Sequence, residues 1–393
     1  MLVAARSAGP AAIGVWSMAV AIQGYALQLG ELGLRSVATA EAVRTRGGAR
    51  ALIGRYLLLR LAMSTATILA ALALVELFRP EHFGLMALTL LSLFAAALQL
   101  DWVSLADGRS LAASLPLLVR PAAFLLALLA WPGSSTPADI ALAFLISWTV
   151  AAMVSLPVLG LPARTMGRHP PLPALDMLRG GVGFAAVSLL AQCQLSADLL
   201  LVGWTLGVEA AGNYYLAAAV AVAATVLANA AGQLALARMG SGRGCPESIR
   251  WGLRRLCAEG CAAGLAVALA LALAAPPLLA ALVGGDFARA SALLPWLAPW
   301  VALVHLTTPL QAALGAAGLQ RAALRANLAS AAVLAPLLGL AAWIGEAWAF
   351  ALARSLAELV RLLLLLHASG LGGAGNAAHA GSGSPVVRFS GTG

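Results

Sequence analysis

Eleven largely apolar stretches, each close to the roughly 20 residues an α-helix needs to cross a bilayer, follow one another along this chain. They cover residues 12–34, 52–77, 84–106, 112–131, 138–160, 181–204, 211–236, 257–283, 290–315, 322–343 and 347–367. Hydrocarbon offers no water to an exposed backbone, so such segments fold as helices whose amides bond within the segment. The expected fold class is therefore an all-α integral membrane protein with about 11 transmembrane helices. No connection is long enough for a folded domain outside the bilayer, and the tail at 370–393 has the Gly/Ser/Ala composition of a disordered linker. Its one G-x-G-x-x-G (Gly370, Gly372, Gly375) follows no strand and opens no helix, so it reads as chance.

Charge is scarce, 10% of residues against roughly 25% in a soluble domain. All 24 basic residues are arginine; against 15 acidic ones they give a net charge of +9. Without lysine the chain has neither a Walker A loop nor a Schiff-base cofactor site. The arginines fall between apolar spans and form no stripe with interleaved aromatics, which excludes a nucleic-acid surface. They mark topology instead, because short arginine-rich loops stay cytoplasmic. Arg35, Arg44, Arg46, Arg50 and Arg55, then Arg109, then Arg164, Arg168 and Arg179, then Arg238, Arg243, Arg250, Arg254 and Arg255, then Arg321 and Arg325 occupy alternate connections, while the opposite ones hold only Arg79 and Arg289. These loops and the tail are expected on the cytoplasmic side. The scattered cysteines Cys193, Cys245, Cys257 and Cys261 give neither a disulfide framework nor a metal site, and no cleavable signal opens the chain.

"GVWSMA" at 14–19 is echoed by "GNYYLA" at 212–217. Aligning Gly14 with Gly212 pairs Trp16 with Tyr214 and sets one arginine-rich connection on another. Five helices then correspond in order and orientation, a parallel repeat about an axis normal to the membrane. The span at 181–204 finds no counterpart, so the repeat predicts a six-plus-six architecture whose first helix is mostly absent, residues 1–10 reading as its last turn and the loop that follows. The expected organisation is two pseudo-symmetric bundles, five helices plus six: an N-terminal lobe at 1–165, a C-terminal lobe at 166–369 and the tail.

The stretches "GPAAIGVWSMA", "LGELGL", "QCQLSADLLLVGWTLGVEAAGNYYLA", "GGDFARASALLPWLAP" and "WIGEAWAFALA", in that order, resemble the polysaccharide flippases of the Wzx type, within the MATE-like transporter superfamily. The resemblance implies a non-enzymatic, cofactor-free protein of the bacterial inner membrane. Its substrate would be a polyprenyl-diphosphate-linked oligosaccharide, moved across the membrane for polysaccharide or lipopolysaccharide biosynthesis. The implied partners are that substrate, membrane lipids, and the polymerase and other assembly proteins. The family has no fixed motif of substrate residues to carry over.

Charges inside a span cost roughly 2.5–3.5 kcal/mol at the bilayer centre and so demand a reason. On the last span Arg354, Glu358 and Arg361 form one stripe at i, i+4 and i+7. Two arginines flanking a titrating carboxylate suit a diphosphate, and an internal ion-pair ladder is the structural alternative. Arg60 and Arg120 complete the candidate substrate contacts, though both lie near helix ends where a long side chain can snorkel. Candidates for ion coupling are Asp198 with Gln194 on the same face, Asp101, for which interfacial solvation is the plainer reading, and His305, which an internal hydrogen bond would also explain. Pro295 and Pro299 suggest a kink. Trp296, Trp300, Trp343 and Trp348 read as an aromatic belt.

A small-molecule or multidrug exporter of the same superfamily is the alternative function; it would present mainly acidic interior faces to cations. A membrane polysaccharide polymerase or ligase is a weaker one, because the outer connections are short and carry no H-E-x-x-H or nucleophile elbow.

Overall fold

The computed structural model describes residues 2–44, 49–78, 80–130, 136–156, 173–240, 246–316 and 319–370, and among these there is no strand. The first half of the chain forms α1 (Leu2–Glu31), α2 (Leu34–Arg44), α3 (Ala49–Phe78), α4 (Phe83–Leu90), α5 (Ser92–Ala97), α6 (Asp101–Ala106), α7 (Ser110–Ala130) and α8 (Pro137–Ser155). The second forms α9 (Ala174–Thr205), α10 (Val208–Ala224), α11 (Val226–Gly240), α12 (Pro246–Leu273), α13 (Ala275–Val283), α14 (Ala288–Ala316), α15 (Gln320–Ile344) and α16 (Ala347–Ala368). Ten segments of the described residues are long and apolar enough to cross a membrane. The eleventh expected span is α16, set apart from the ten by its three charges, Arg354, Glu358 and Arg361. The tail beyond Gly370 and its glycine motif lie outside the described residues.

Three of the expected spans are broken, two of them for a chemical reason. The span at 84–106 divides into α4, α5 and α6. At its second break the freed amides find side chains: the Leu100 N–H donates to Ser155 Oγ at 3.1 Å and the Trp102 N–H to Asp101 Oδ1 at 3.1 Å. The span at 257–283 stops at Leu273 and resumes as α13, because Pro276 and Pro277 supply no N–H and fit only a first helical turn. The span at 211–236 is divided at Thr225. By contrast, α14 carries Pro295, Pro299 and Pro309 and is one unbroken helix. On α8, Thr136 accepts from the Asp139 N–H while Asp139 accepts from the Thr136 N–H, a reciprocal cap on the first turn.

The repeat has a direct structural expression. Within α1 the helix is interrupted at Gly9 (φ 75°, ψ 169°), and at the same offset Gly207 (φ 92°, ψ 171°) precedes α10. Both conformations belong to glycine. One turn further on, α1 and α10 cross at Gly14 and Gly212 with their backbones in contact. A Cβ at Gly14 would lie 1.7 Å from the Val208 carbonyl oxygen, and a Cβ at Gly212 would lie 1.9 Å from that of Pro10. One offset maps Gly14 on Gly212 and Pro10 on Val208, so the two contacts are images of each other about an axis passing between the glycines. Small residues of this kind let helices approach closely in lipid, where dispersion must replace the hydrophobic effect.

The same seam carries a cluster of rings. Trp16 meets Phe124 and Phe144 at 6.0 Å and, across the seam, Tyr215 at 5.7 Å. Helix α9 straddles it, packing on α1 and α2 as well as on α10, α15 and α16. Close approach again rests on glycine: Gly181 lies against the Leu32 carbonyl, and Gly203 against Met18.

Candidate functional site

Charged side chains inside the bundle gather in two places. In the second half, Asp198 of α9, Tyr214 of α10 and Arg354 of α16 meet where their three helices converge. The Tyr214 hydroxyl donates to Asp198 Oδ2 at 2.6 Å, Arg354 Nη1 donates to the same oxygen at 3.2 Å, and the Leu199 N–H donates to Oδ1 at 2.8 Å. The Arg354 guanidinium lies 3.9 Å from the Trp300 ring centroid, a cation–π contact that a desolvated site strengthens. With side-chain exposures of 6% for Arg354 and 4% for Asp198, this is a dry ion pair. A cation reaches Asp198 only by displacing the guanidinium.

One turn along α16, Glu358 accepts from the Thr307 hydroxyl and from Arg361 Nη1, the latter at 3.1 Å, while Arg361 Nη2 donates to the Gln311 side-chain oxygen. The expected stripe of Arg354, Glu358 and Arg361 is therefore divided between two partners: Arg354 serves Asp198, and only Arg361 serves Glu358. Two arginines do not flank one carboxylate. Trp300, Thr307 and Gln311 recur on α14 at i, i+7 and i+11 and so share the face that meets α16.

In the first half, Arg60 is 4% exposed. It donates to the Tyr56 hydroxyl and lies 3.3 Å from Glu31. Its side chain turns inward and does not snorkel, because a partner on α1 stands within reach. Asp101 is likewise buried, 2.5 Å from Arg35 Nη2, so an ion pair takes the place of the expected interfacial solvation. The ring of Tyr56 packs on that of Trp102 at 4.9 Å.

Arg120 differs from all of these. It is half-buried on α7, its guanidinium 4.4 Å from the Trp148 ring centroid on α8. No carboxylate among the described residues lies within 4.0 Å of it. Phe124, one turn along the same face, reaches Trp16 at the seam. Among the described residues the buried carboxylates are Glu41, Asp101, Asp198 and Glu358. Each has an arginine: Arg44, Arg35, Arg354 and Arg361 respectively. Interior negative charge is thus matched, and Arg120 is positive charge left over.

Two candidates stand away from these clusters. The Gln194 side chain donates to the Asn327 carbonyl at 3.1 Å, tying α9 to α15 instead of joining Asp198. His305 donates from Nδ1 to the Val301 carbonyl at 2.9 Å and packs against Gly260 and Gly264 of α12. Two residues before Thr307, at about 100° per residue, it lies on nearly the opposite face of α14 from Glu358. Its Nε2 is buried without a hydrogen-bond partner among the described residues. Trp300, expected in the belt, is an interior residue beneath Arg354.

This arrangement of helices is found in solved structures. A multidrug resistance MATE family transporter of the MOP superfamily, in an inward-facing conformation, superposes with a TM-score of 0.69 at 17% identity, covering 94% of this chain and 93% of that one. The chain has the MATE-transporter fold. The lipid II flippase MurJ, in an inward closed conformation, gives a TM-score of 0.62 at 13% identity over 91% of this chain and 85% of its own. A MOP superfamily transporter from Pyrococcus furiosus, described as having a binding pocket of reverse polarity that suggests a different function, gives 0.59 at 16% identity over 92% and 88%. No family profile and no curated protein matches the chain in sequence. At these identities the likeness is one of fold. Thr307, Gln311, Glu31 and Tyr56, which help complete the polar clusters, are residues that sequence patterns passed over, and Tyr214 and Trp300 stood out there for other reasons, the repeat and the belt; the heptad-like spacing on α14 was the one signal available.

Proposed function

We propose that the chain is a membrane transporter that moves a polyprenyl-diphosphate-linked oligosaccharide across the bacterial inner membrane, serving polysaccharide or lipopolysaccharide biosynthesis. The observation that carries this reading is charge balance within a MATE fold: every buried carboxylate among the described residues is held by an arginine, and Arg120 is in excess. A half-buried guanidinium with no carboxylate partner among the described residues favours an anionic guest, and its planar fork suits a phosphate. The second arginine network, with Arg354 and Arg361 each keeping a buried Nε without a hydrogen-bond partner among the described residues, offers further donors once the lobes move. Alternating access would come from rocking of the two lobes about their shared axis. The arginine-rich connections would face the cytoplasm, and the lipid, the polymerase and other assembly proteins would be the partners.

Export of a small molecule or drug is the second reading, since MATE exporters share the fold. A cationic drug needs a free interior carboxylate, and the pairing of Asp101, Asp198 and Glu358 speaks against one. The test is reconstitution into vesicles containing a fluorescent polyprenyl-diphosphate oligosaccharide, with leaflet exchange followed by a membrane-impermeant quencher. Arg120→Gln should slow exchange about tenfold or more, the equivalent of losing one charge-assisted contact of about 1.4 kcal/mol or more, while stability falls only by the cation–π contact with Trp148, about 0.5–1 kcal/mol. Exchange no faster than in protein-free vesicles would refute the reading.

A further inference from the structure

The first turns of α10, α14 and α16 surround a pocket of about 310 Å³ at the end of the bundle opposite the arginine-rich connections. That volume is at the small end of the roughly 300–1,000 Å³ that ligand sites occupy. Trp296 and Trp348 form one wall, their rings 5.1 Å apart and inclined by 33°, and Trp296 is 44% exposed. Arg289 and Glu346 line the same concavity.

These tryptophans sit at helix ends, where an aromatic belt would place them. A belt residue, however, faces the boundary of headgroups and acyl chains, and a concavity shared with an arginine and a glutamate is a wet one. The floor is rigid. Asn213 is buried with both ends of its amide engaged, accepting from the Ala290 N–H at 3.1 Å and donating to the Glu209 carbonyl at 3.0 Å, which locks α10 to α14 beneath the pocket. Arg289 is steadied by Glu209 at 3.6 Å while remaining exposed.

A ligand for this pocket needs an apolar face for the indole and a rim of groups that both donate and accept, because the guanidinium only donates and the carboxylate only accepts. A bare anion has no use for the tryptophans, and a hydrocarbon chain has none for Arg289 and Glu346. A pyranose meets both demands, with C–H groups on one face and hydroxyls around its edge. We propose that this pocket is a saccharide-binding site, in which a sugar ring stacks on Trp296 and its hydroxyls bond to Arg289 and Glu346. It stands apart from the interior arginines and does not rest on the translocation reading.

The test uses the full chain in lipid nanodiscs and saturation-transfer NMR with the methyl glycosides of glucose, galactose, mannose and N-acetylglucosamine as probes. At least one glycoside should bind saturably, Trp296→Phe should keep that binding, Trp296→Ala should abolish it, and Arg289→Gln should weaken it about tenfold. Because Arg289 is 77% exposed, its variant tests the site even if Trp296→Ala fails to fold. Absence of saturable binding by all four probes, or unchanged binding in Arg289→Gln and Trp296→Ala, overturns the proposal. Binding is read without translocation, so a chain that binds glycosides and moves no lipid-linked sugar retains this site and loses the transport reading, and the converse result does the opposite.

Discussion

Arg354→Met is expected to destabilise the fold by about 3–5 kcal/mol, the usual penalty for stranding one member of a buried ion pair. Asp198 would keep the Tyr214 hydroxyl and the Leu199 N–H but lose its counter-charge, at 4% side-chain exposure. Asp198→Asn alone should cost less, because Arg354 retains the face of Trp300. The double variant should recover most of the loss: this site then holds no charge, and the Tyr214 hydroxyl can turn to accept from the new amide. Thermal inactivation midpoints of the four proteins in detergent micelles give the coupling energy. Additive single effects would mean that the pair contributes nothing beyond its separate members.

The second large effect is steric. Gly14→Ala and Gly212→Ala each place a methyl group less than 2 Å from a carbonyl oxygen of the other helix, at 1.7 Å and 1.9 Å. The obstacle is backbone, so no rotamer change relieves it and α1 and α10 must separate. Overpacking of this kind costs about 1–3 kcal/mol, and an immovable neighbour puts these variants at the upper end. The double variant should cost less than the sum, since one separation relieves both clashes. Gly339→Ala on α15 is the control, with nothing within 4 Å of its Cβ; as a helix-interior alanine it should match or exceed the parent stability. Equal midpoints for Gly14→Ala and Gly339→Ala would remove the glycine crossing from the account of the fold.

The helices and their repeat were legible in the sequence because both are local signals: a run of apolar residues has one outcome in lipid, and the echo of 14–19 in 212–217 is a matter of alignment. The internal boundaries were less so. The break at Gln99–Leu100 depends on a hydroxyl from Ser155, a residue of another helix, and no pattern around Leu100 announces it. An ionisable residue within a span stands out in the sequence, but its partner does not. Helical periodicity groups Arg354 with Glu358 on one helix, whereas packing brings Arg354 to Asp198 on another, and a contact between α16 and α9 is written in neither segment alone. Trp300 was misplaced for the same reason: its position near the end of a span suits a belt, and only Arg354 above it makes it interior.

The crossing of α1 and α10 also limits which sequences can occupy it. At most helix contacts a bulkier residue on one side can be accommodated by trimming a side chain on the other. Gly14 and Gly212 each face main chain of the opposite helix, and main chain has nothing to trim. A second substitution at the facing residue therefore cannot rescue a larger side chain at either glycine.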